Sequence, residues 1–126
     1  MIVAGFGFRS GAALPSLRAA FALAGQGQPP VTHLVTAHDK LAALLPLAEV
    51  LGLPLMGVAS DALAAVSTPT RSTASLNARH VGSVAEASAL AAAGAGARLL
   101  GPRHTSPDRM ATCAIAASVN LQEPTT

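Results

Sequence analysis

The sequence predicts a three-layer α/β/α domain built on a mostly parallel, mixed sheet of about five strands. Three observations predict it. Short apolar runs alternate with segments of helical periodicity along the chain, as strands joined by crossover helices do. Hydrophobic residues make up 51% of the 126 residues and charged residues 11%, so a core is available without disulfide or metal staples. The last connection breaks the pattern, because only about ten residues, with Pro102 and Pro107 among them, separate Leu100 from Met110. A parallel crossover usually takes a dozen or more residues and a helix. The last strand is therefore expected to run antiparallel to its predecessor. Residues 1–120 are expected to form a single domain and residues 121–126 a loose tail.

The elements follow in order. Ile2-Val3-Ala4 reads as a short buried strand that runs into a glycine-rich turn, Gly5 to Gly11. A helix is expected from about Ser10 to Leu23, with Leu14, Leu17 and Phe21 on its core face. Gly25 to Pro30 ends it. Val31 to Thr36 is the second strand. Leu41, Leu44, Leu45, Ala48 and Leu51 then repeat at helical spacing around Pro46, which kinks this helix or marks a late start. Gly52 caps its end and Pro54 confirms the stop. Leu55 to Val58 is the third strand, and Ser60-Asp61 caps a short helix through Val66. Ser67 to Ala74 is polar and reads as a loop. Val81-Gly82 leads into a helix from Ser83 to Ala93, opened by the capping box Ser83-Val84-Ala85-Glu86. Alanine supplies 29 residues of the chain, and this alanine-rich helix packs closely inside the domain or across a homodimer. Leu99-Leu100 is the fourth strand, Gly101 to Arg109 a long loop, and Met110 to Ser118 the last strand.

Composition excludes several classes. Seven Arg and one Lys are scattered and the net charge is +2, which leaves no nucleic-acid footprint. With no Trp, no Tyr and three Phe, a base-stacking platform is absent. The lone Cys113 allows no internal disulfide and reads as an inert core thiol of a reducing, cytoplasmic compartment. Met1-Ile2-Val3-Ala4-Gly5 lacks the basic start of a signal peptide. No apolar run reaches the roughly 18 residues of a membrane helix. His33, His38, His80 and His104 show no metal-ligand spacing, so neither a metal nor a cofactor is expected.

In an open parallel sheet, ligands sit beyond the carboxyl ends of the strands. Those ends carry Arg9, Ser10 and Gly11, then Thr36, His38, Asp39 and Lys40, then Ser60 and Asp61, then Arg103 and His104. Arg9, Lys40 and Arg103 are expected to meet at one edge with the helix N-termini near Ser10 and Ser83, an arrangement suited to an anionic ligand. Gly5, Gly7 and Gly11 serve a tight turn or a ligand loop, although their spacing is not the dinucleotide G-x-G-x-x-G. Gly82 permits close approach of a ligand or of another backbone. His38, Asp39 and Glu86 are the available acid–base groups. Asp39 also reads as a helix N-cap, and Glu86 as the reciprocal half of the capping box.

Four blocks together resemble the CobE / CbiG C-terminal family of cobalamin biosynthesis. Gly5-Phe6-Gly7-Phe8-Arg9-Ser10-Gly11 is similar to its opening G-x-G-C-R-x-G. Leu34 to Lys40 and Leu47 to Leu55 resemble its second block, Val81-Gly82-Ser83-Val84-Ala85-Glu86-Ala87 its third, and Leu99 to Arg103 with Thr112 to Ala116 its close. The resemblance spans nearly the whole chain. It departs at Phe8, where the family has cysteine, and at Arg103, where it has lysine. The lysine of the second block falls on Lys40 counted from the preceding strand and on His38 counted back from Gly52-Leu53-Pro54. The resemblance implies a protein of the CobE kind that binds an anionic corrinoid or precorrin as carrier, chaperone or accessory of other pathway enzymes. The longer CbiG proteins open a δ-lactone and release acetaldehyde, which makes a hydrolase the alternative. A nucleotide-binding module using Gly5 to Gly11 is a third reading. Ring-packing residues would come from Phe6, Phe8 or Met56.

Overall fold

The computed structural model describes residues 1–66 and 83–118. The expected loop over 67–74, His80, Gly82 and the tail from 121 lie outside the described residues. The chain runs β1 (Ile2–Phe8), α1 (Leu14–Gly25), β2 (His33–Ala37), a 3-10 turn (His38–Lys40), α2 (Leu41–Leu51), β3 (Leu55–Val58) and α3 (Ser60–Ala64). It continues through α4 (Val84–Ala93), β4 (Arg98–Leu99), β5 (His104–Thr105) and β6 (Ala111–Ala117). The six strands form one mixed sheet in the order β3-β2-β1-β6-β4, with β5 also paired to β6. The β1–β2 and β2–β3 pairs are parallel, and every pair made by β6 is antiparallel. The short last connection thus dictates strand direction as expected, but among the described residues the sheet has six strands rather than five. The extra one lies inside the expected loop Gly101 to Arg109.

The strands β4 and β5 lie end to end along β6. Leu99 stands opposite Ala116 and His104 opposite Cys113. Five steps on one side therefore match three on the other, and the surplus forms a bulge around Gly101-Pro102.

The sheet divides the core into two. On one face Ala4, Phe6, Leu34, Ala111, Cys113 and Ile115 pack against Leu17, Ala20 and Ala24 of α1 and Leu44, Leu47 and Ala48 of α2. The Phe6 ring stacks on Phe21 with centroids 6.4 Å apart. On the other face Val3, Val35, Ala37 and Val58 pack against Leu63 of α3 and Ala87 of α4. Cys113 is fully buried in the first layer, and burial pushes its thiol far above the ordinary thiol range.

The bounds of β1 and α1 differ most from expectation, and β2 starts at His33 rather than Val31. The strand β1 does not stop at Ala4. It continues through Gly5 and Gly7 to Phe8 and pairs with β6 along its whole length. A Cβ at Gly5 would stand 2.2 Å from the Ala85 carbonyl oxygen and 2.7 Å from the Ala89 amide nitrogen. At Gly7 it would stand 3.2 Å from Val84 Cβ. The bare strand lets the backbone of α4 settle directly on it, so the alanine-rich helix packs inside the domain. The helix α1 begins at Leu14 rather than Ser10. Pro15 lies in its first turn, where the fixed φ suits a helix and the missing N–H is no loss.

The other helix ends are mixed. Gly52 closes α2 at φ 68° in the left-handed region, as its position predicts. Pro46 lies inside α2, which runs from Leu41 to Leu51, so it does not mark a late start. It leaves the Ala42 carbonyl without an intrahelical donor, and both residues are exposed to water. The Ser83 hydroxyl caps α4 by accepting from the Glu86 amide at 3.3 Å. Ser60 and Asp61 do not cap α3. Ala59 holds that position, and Asp61 accepts from the Ala62 amide.

Candidate functional site

The site is built where β1 and β2 end and β6 begins. Phe8, the last residue of β1, faces Ala111 of β6 in the ladder. The turn after β2 brings Lys40 across to it, and Lys40 Nζ donates to the Phe8 carbonyl at 3.0 Å. The same ammonium stands 4.9 Å from the centre of the Phe8 ring, within cation–π range. Arg9 follows directly. Its amide donates to the Met110 carbonyl at 2.9 Å, and its Nε donates to the Arg109 carbonyl at 3.2 Å. Thr36, buried beneath, donates its hydroxyl to the Phe6 carbonyl at 2.8 Å. The first turn of α4 lies over Gly7, which sets Ser83 at the same end of the sheet.

This edge gathers some of the expected residues and not others. Arg9, Ser10 and Gly11 are exposed in the connection between β1 and α1. They are not at a helix N-terminus, because α1 starts several residues later. His38 and Asp39 are exposed on the 3-10 turn, and Lys40 is partly buried. Lys40, not Asp39, holds the N-cap position of α2. Gly5 and Gly7 are strand residues beneath α4 and form no loop. Glu86 is fully buried in the first turn of α4, and Ser83 is buried beside it. Arg103 stands apart. It precedes β5, whose first residue lies level with Cys113 and Phe6 on the far side of β6. That places it on the flank of the sheet rather than at the carboxyl edge. Phe6 is fully buried in the first core layer, and Phe8 and Met56 are partly buried against the two layers, Phe8 being the one beside Lys40 at the carboxyl edge.

The turn from β5 to β6 enters the site without having been read in the sequence. Asp108 Oδ1 accepts from Ser106 Oγ at 2.6 Å and from the Met110 amide at 3.1 Å, and Oδ2 accepts from Ser16 Oγ of α1. The bonds from Ser106, Ser16 and Met110, in that order, hold the Asp108 carboxyl below its ordinary value. Arg109 adopts φ 63°. Ser106-Pro107-Asp108 is turn chemistry in its own right, and that was the available signal. Among the described residues no group of three or more His, Cys, Asp or Glu is placed to hold a metal.

The family described as Cobalamin synthesis G C-terminus matches residues 2–116. This chain belongs to that family. It is a cobalamin-biosynthesis protein with the fold of the family's solved members. It is similar to CobE, a protein from the cobalamin (vitamin B12) biosynthetic pathway, with 29% identity, 94% of this chain and 91% of the other covered, and a TM-score of 0.82. It is similar to cobalamin biosynthesis protein chiG from Agrobacterium tumefaciens, with 40% identity, 95% and 100% covered, and a TM-score of 0.72. A cobalamin biosynthesis protein G homolog from Sulfolobus solfataricus shares the fold at 15% identity, with 94% of this chain and 37% of the other covered and a TM-score of 0.70. No match was found among curated proteins. Among the described residues, no helix of this family member is long and apolar enough to cross a membrane.

Proposed function

We propose that this chain binds an anionic corrinoid or precorrin intermediate at the carboxyl edge of its sheet, as a carrier, chaperone or accessory of the cobalamin pathway. The observation that carries this reading is Lys40 seated on Phe8, bonded to its carbonyl and over its ring, with the exposed Arg9 following at the same strand end. Corrin precursors are flat macrocycles fringed with acetate and propionate carboxylates. A guanidinium pairs with a carboxylate edge through two parallel N–H bonds, and an ammonium serves as a compact point charge. The partly buried Phe8 ring beneath Lys40 offers an apolar contact for the macrocycle face. The nucleotide reading loses its support, because Gly5 and Gly7 lie under α4 and cradle no phosphate. Acid–base chemistry on a macrocycle arriving from solvent would fall to His38 or Asp39, since Glu86 is fully buried.

The test is a titration with hydrogenobyrinic acid and its earlier lactone precursors, followed by the visible absorbance of the macrocycle. Saturable binding, recovery of the macrocycle unchanged and weakening by salt are expected. Lys40→Met and Arg9→Ala should each raise Kd about tenfold, the size of a lost charge-assisted hydrogen bond. Conversion to a new species with acetaldehyde release would replace the carrier reading with a hydrolase. Absence of binding would end both.

A further inference from the structure

The connection between β5 and β6 is built more firmly than its length requires. Arg109 holds φ 63°, the only non-glycine residue at positive φ among the described residues. Glycine or asparagine would adopt that conformation with less strain. Asp108 is tied on both oxygens, to Ser106 and the Met110 amide inside the turn and to Ser16 on α1 outside it. Ser106 is itself fixed, its hydroxyl accepting from the Ala111 amide at 3.1 Å and its carbonyl accepting from the Arg109 amide at 2.8 Å. The product of this knot is a pair of carbonyls, Arg109 and Met110, that accept from the side chain and the amide of Arg9.

We propose that Asp108 is the positioning residue for Arg9. Its carboxylate locks the turn, the turn sets the left-handed backbone at Arg109, and that backbone presents a carbonyl to Arg9 Nε. A single bond at Nε fixes the plane of the guanidinium, while the terminal nitrogens are the donors that pair with a carboxylate edge. Ser16 ties the arrangement to α1, so the guanidinium is referenced to the helical layer as well as to the sheet. The consequence for affinity rests on the corrinoid reading. The effect on Arg9 does not.

Two measurements separate them. In the free protein, solvent exchange of the Arg9 Nε–H is followed by NMR in the wild type, Asp108→Ala and the milder Ser16→Ala. Exchange at least fivefold faster in Asp108→Ala, with a smaller increase in Ser16→Ala, is expected. Unchanged exchange in both overturns the proposal whether or not a corrinoid binds. The second measurement is a double-mutant cycle read by hydrogenobyrinic acid affinity. Asp108→Ala should weaken binding about fivefold in the wild-type background and not at all in Arg9→Ala, while Lys40→Met keeps its full effect in Asp108→Ala. An equal loss in the presence and absence of Arg9 would make Asp108 a structural residue only and overturn the proposal. Faster Nε–H exchange in a protein that binds no corrinoid would uphold the positioning role and refute the proposed function alone.

Discussion

Replacing Gly5 by alanine should loosen the whole α4 layer. The added Cβ would stand 2.2 Å from the Ala85 carbonyl oxygen, 2.7 Å from the Ala89 amide nitrogen and 2.7 Å from the Ser88 hydroxyl, whereas real Cβ contacts essentially never fall under 3.0 Å. Two of the three opposing atoms are helix backbone, so no rotamer change relieves the clash. The helix must move away by nearly an ångström. That opens its contacts with both β1 and β6, where Ala85, Ala87 and Ala89 are fully buried. Overpacking of a tight core costs about 1–3 kcal/mol and sometimes more. A rigid helix against a rigid strand belongs at the upper end, near 3 kcal/mol. For a domain of this size that is a fall in Tm of roughly 10 °C. Gly7→Ala is the internal control. Its Cβ would meet Val84 Cβ at 3.2 Å and the Ala85 amide at 3.3 Å, and a shift of a few tenths of an ångström suffices. The lower entropy of the unfolded chain offsets part of that cost, so the change should stay within about 1 kcal/mol. Thermal melts followed by circular dichroism give the comparison. If Gly5→Ala melts with Gly7→Ala, the close approach of α4 is not what keeps a glycine at position 5.

Pro46→Ala should raise stability by about 1–2 kcal/mol, because the exposed Ala42 carbonyl regains its intrahelical donor; an unchanged urea midpoint would contradict this. Asp108 has a depressed pKa from the hydrogen bonds of Ser106, Ser16 and Met110, so its contribution to stability is present above its ordinary value of 3.8 and is lost as pH falls through the lower folded value. Wild type and Asp108→Asn should therefore differ in urea midpoint at pH 7 and converge toward pH 2, and a gap that is constant with pH would refute it. Cys113 should resist a thiol-specific reagent in the native protein and react at once in denaturant, since its thiol is fully buried with a raised pKa; rapid native labelling would show that the first core layer opens readily.

The class of the fold was legible because it rests on alternation, and alternation survives errors of a few residues. The direction of β6 was legible from the length of one connection. What escaped was non-local. Glycine weakens a strand, so Gly5 and Gly7 read as the end of β1 until α4, nearly eighty residues further on, supplies their reason. A two-residue strand such as β5 exists only through its partner Cys113–Thr112 and leaves no periodicity of its own. The start of α1 was marked by Pro15, but the polar Ser10 drew the boundary forward. The placement of Arg9 and Lys40 at one end of the sheet was legible by asking which loops follow parallel strands. The same rule misplaced Arg103, because it treats β4 as continuous to the carboxyl edge, whereas the chain is interrupted around Gly101-Pro102. Asp108 escaped because its partners, Ser16 and Met110, are joined to it only by the fold.

The bulge between β4 and β5 has a bearing on solubility. An edge strand offers a row of free amides and carbonyls on which another chain can add. Here the outer flank of β6 is covered by two dipeptide strands out of step with each other by two residues, with Pro102, which has no amide hydrogen, between them. An incoming strand finds no straight stretch long enough to zip against. At the opposite end of the sheet β3 is only four residues long. A chain that is half hydrophobic and nearly a quarter alanine thus guards against cross-chain strand growth through backbone irregularity, using very few charges to do so.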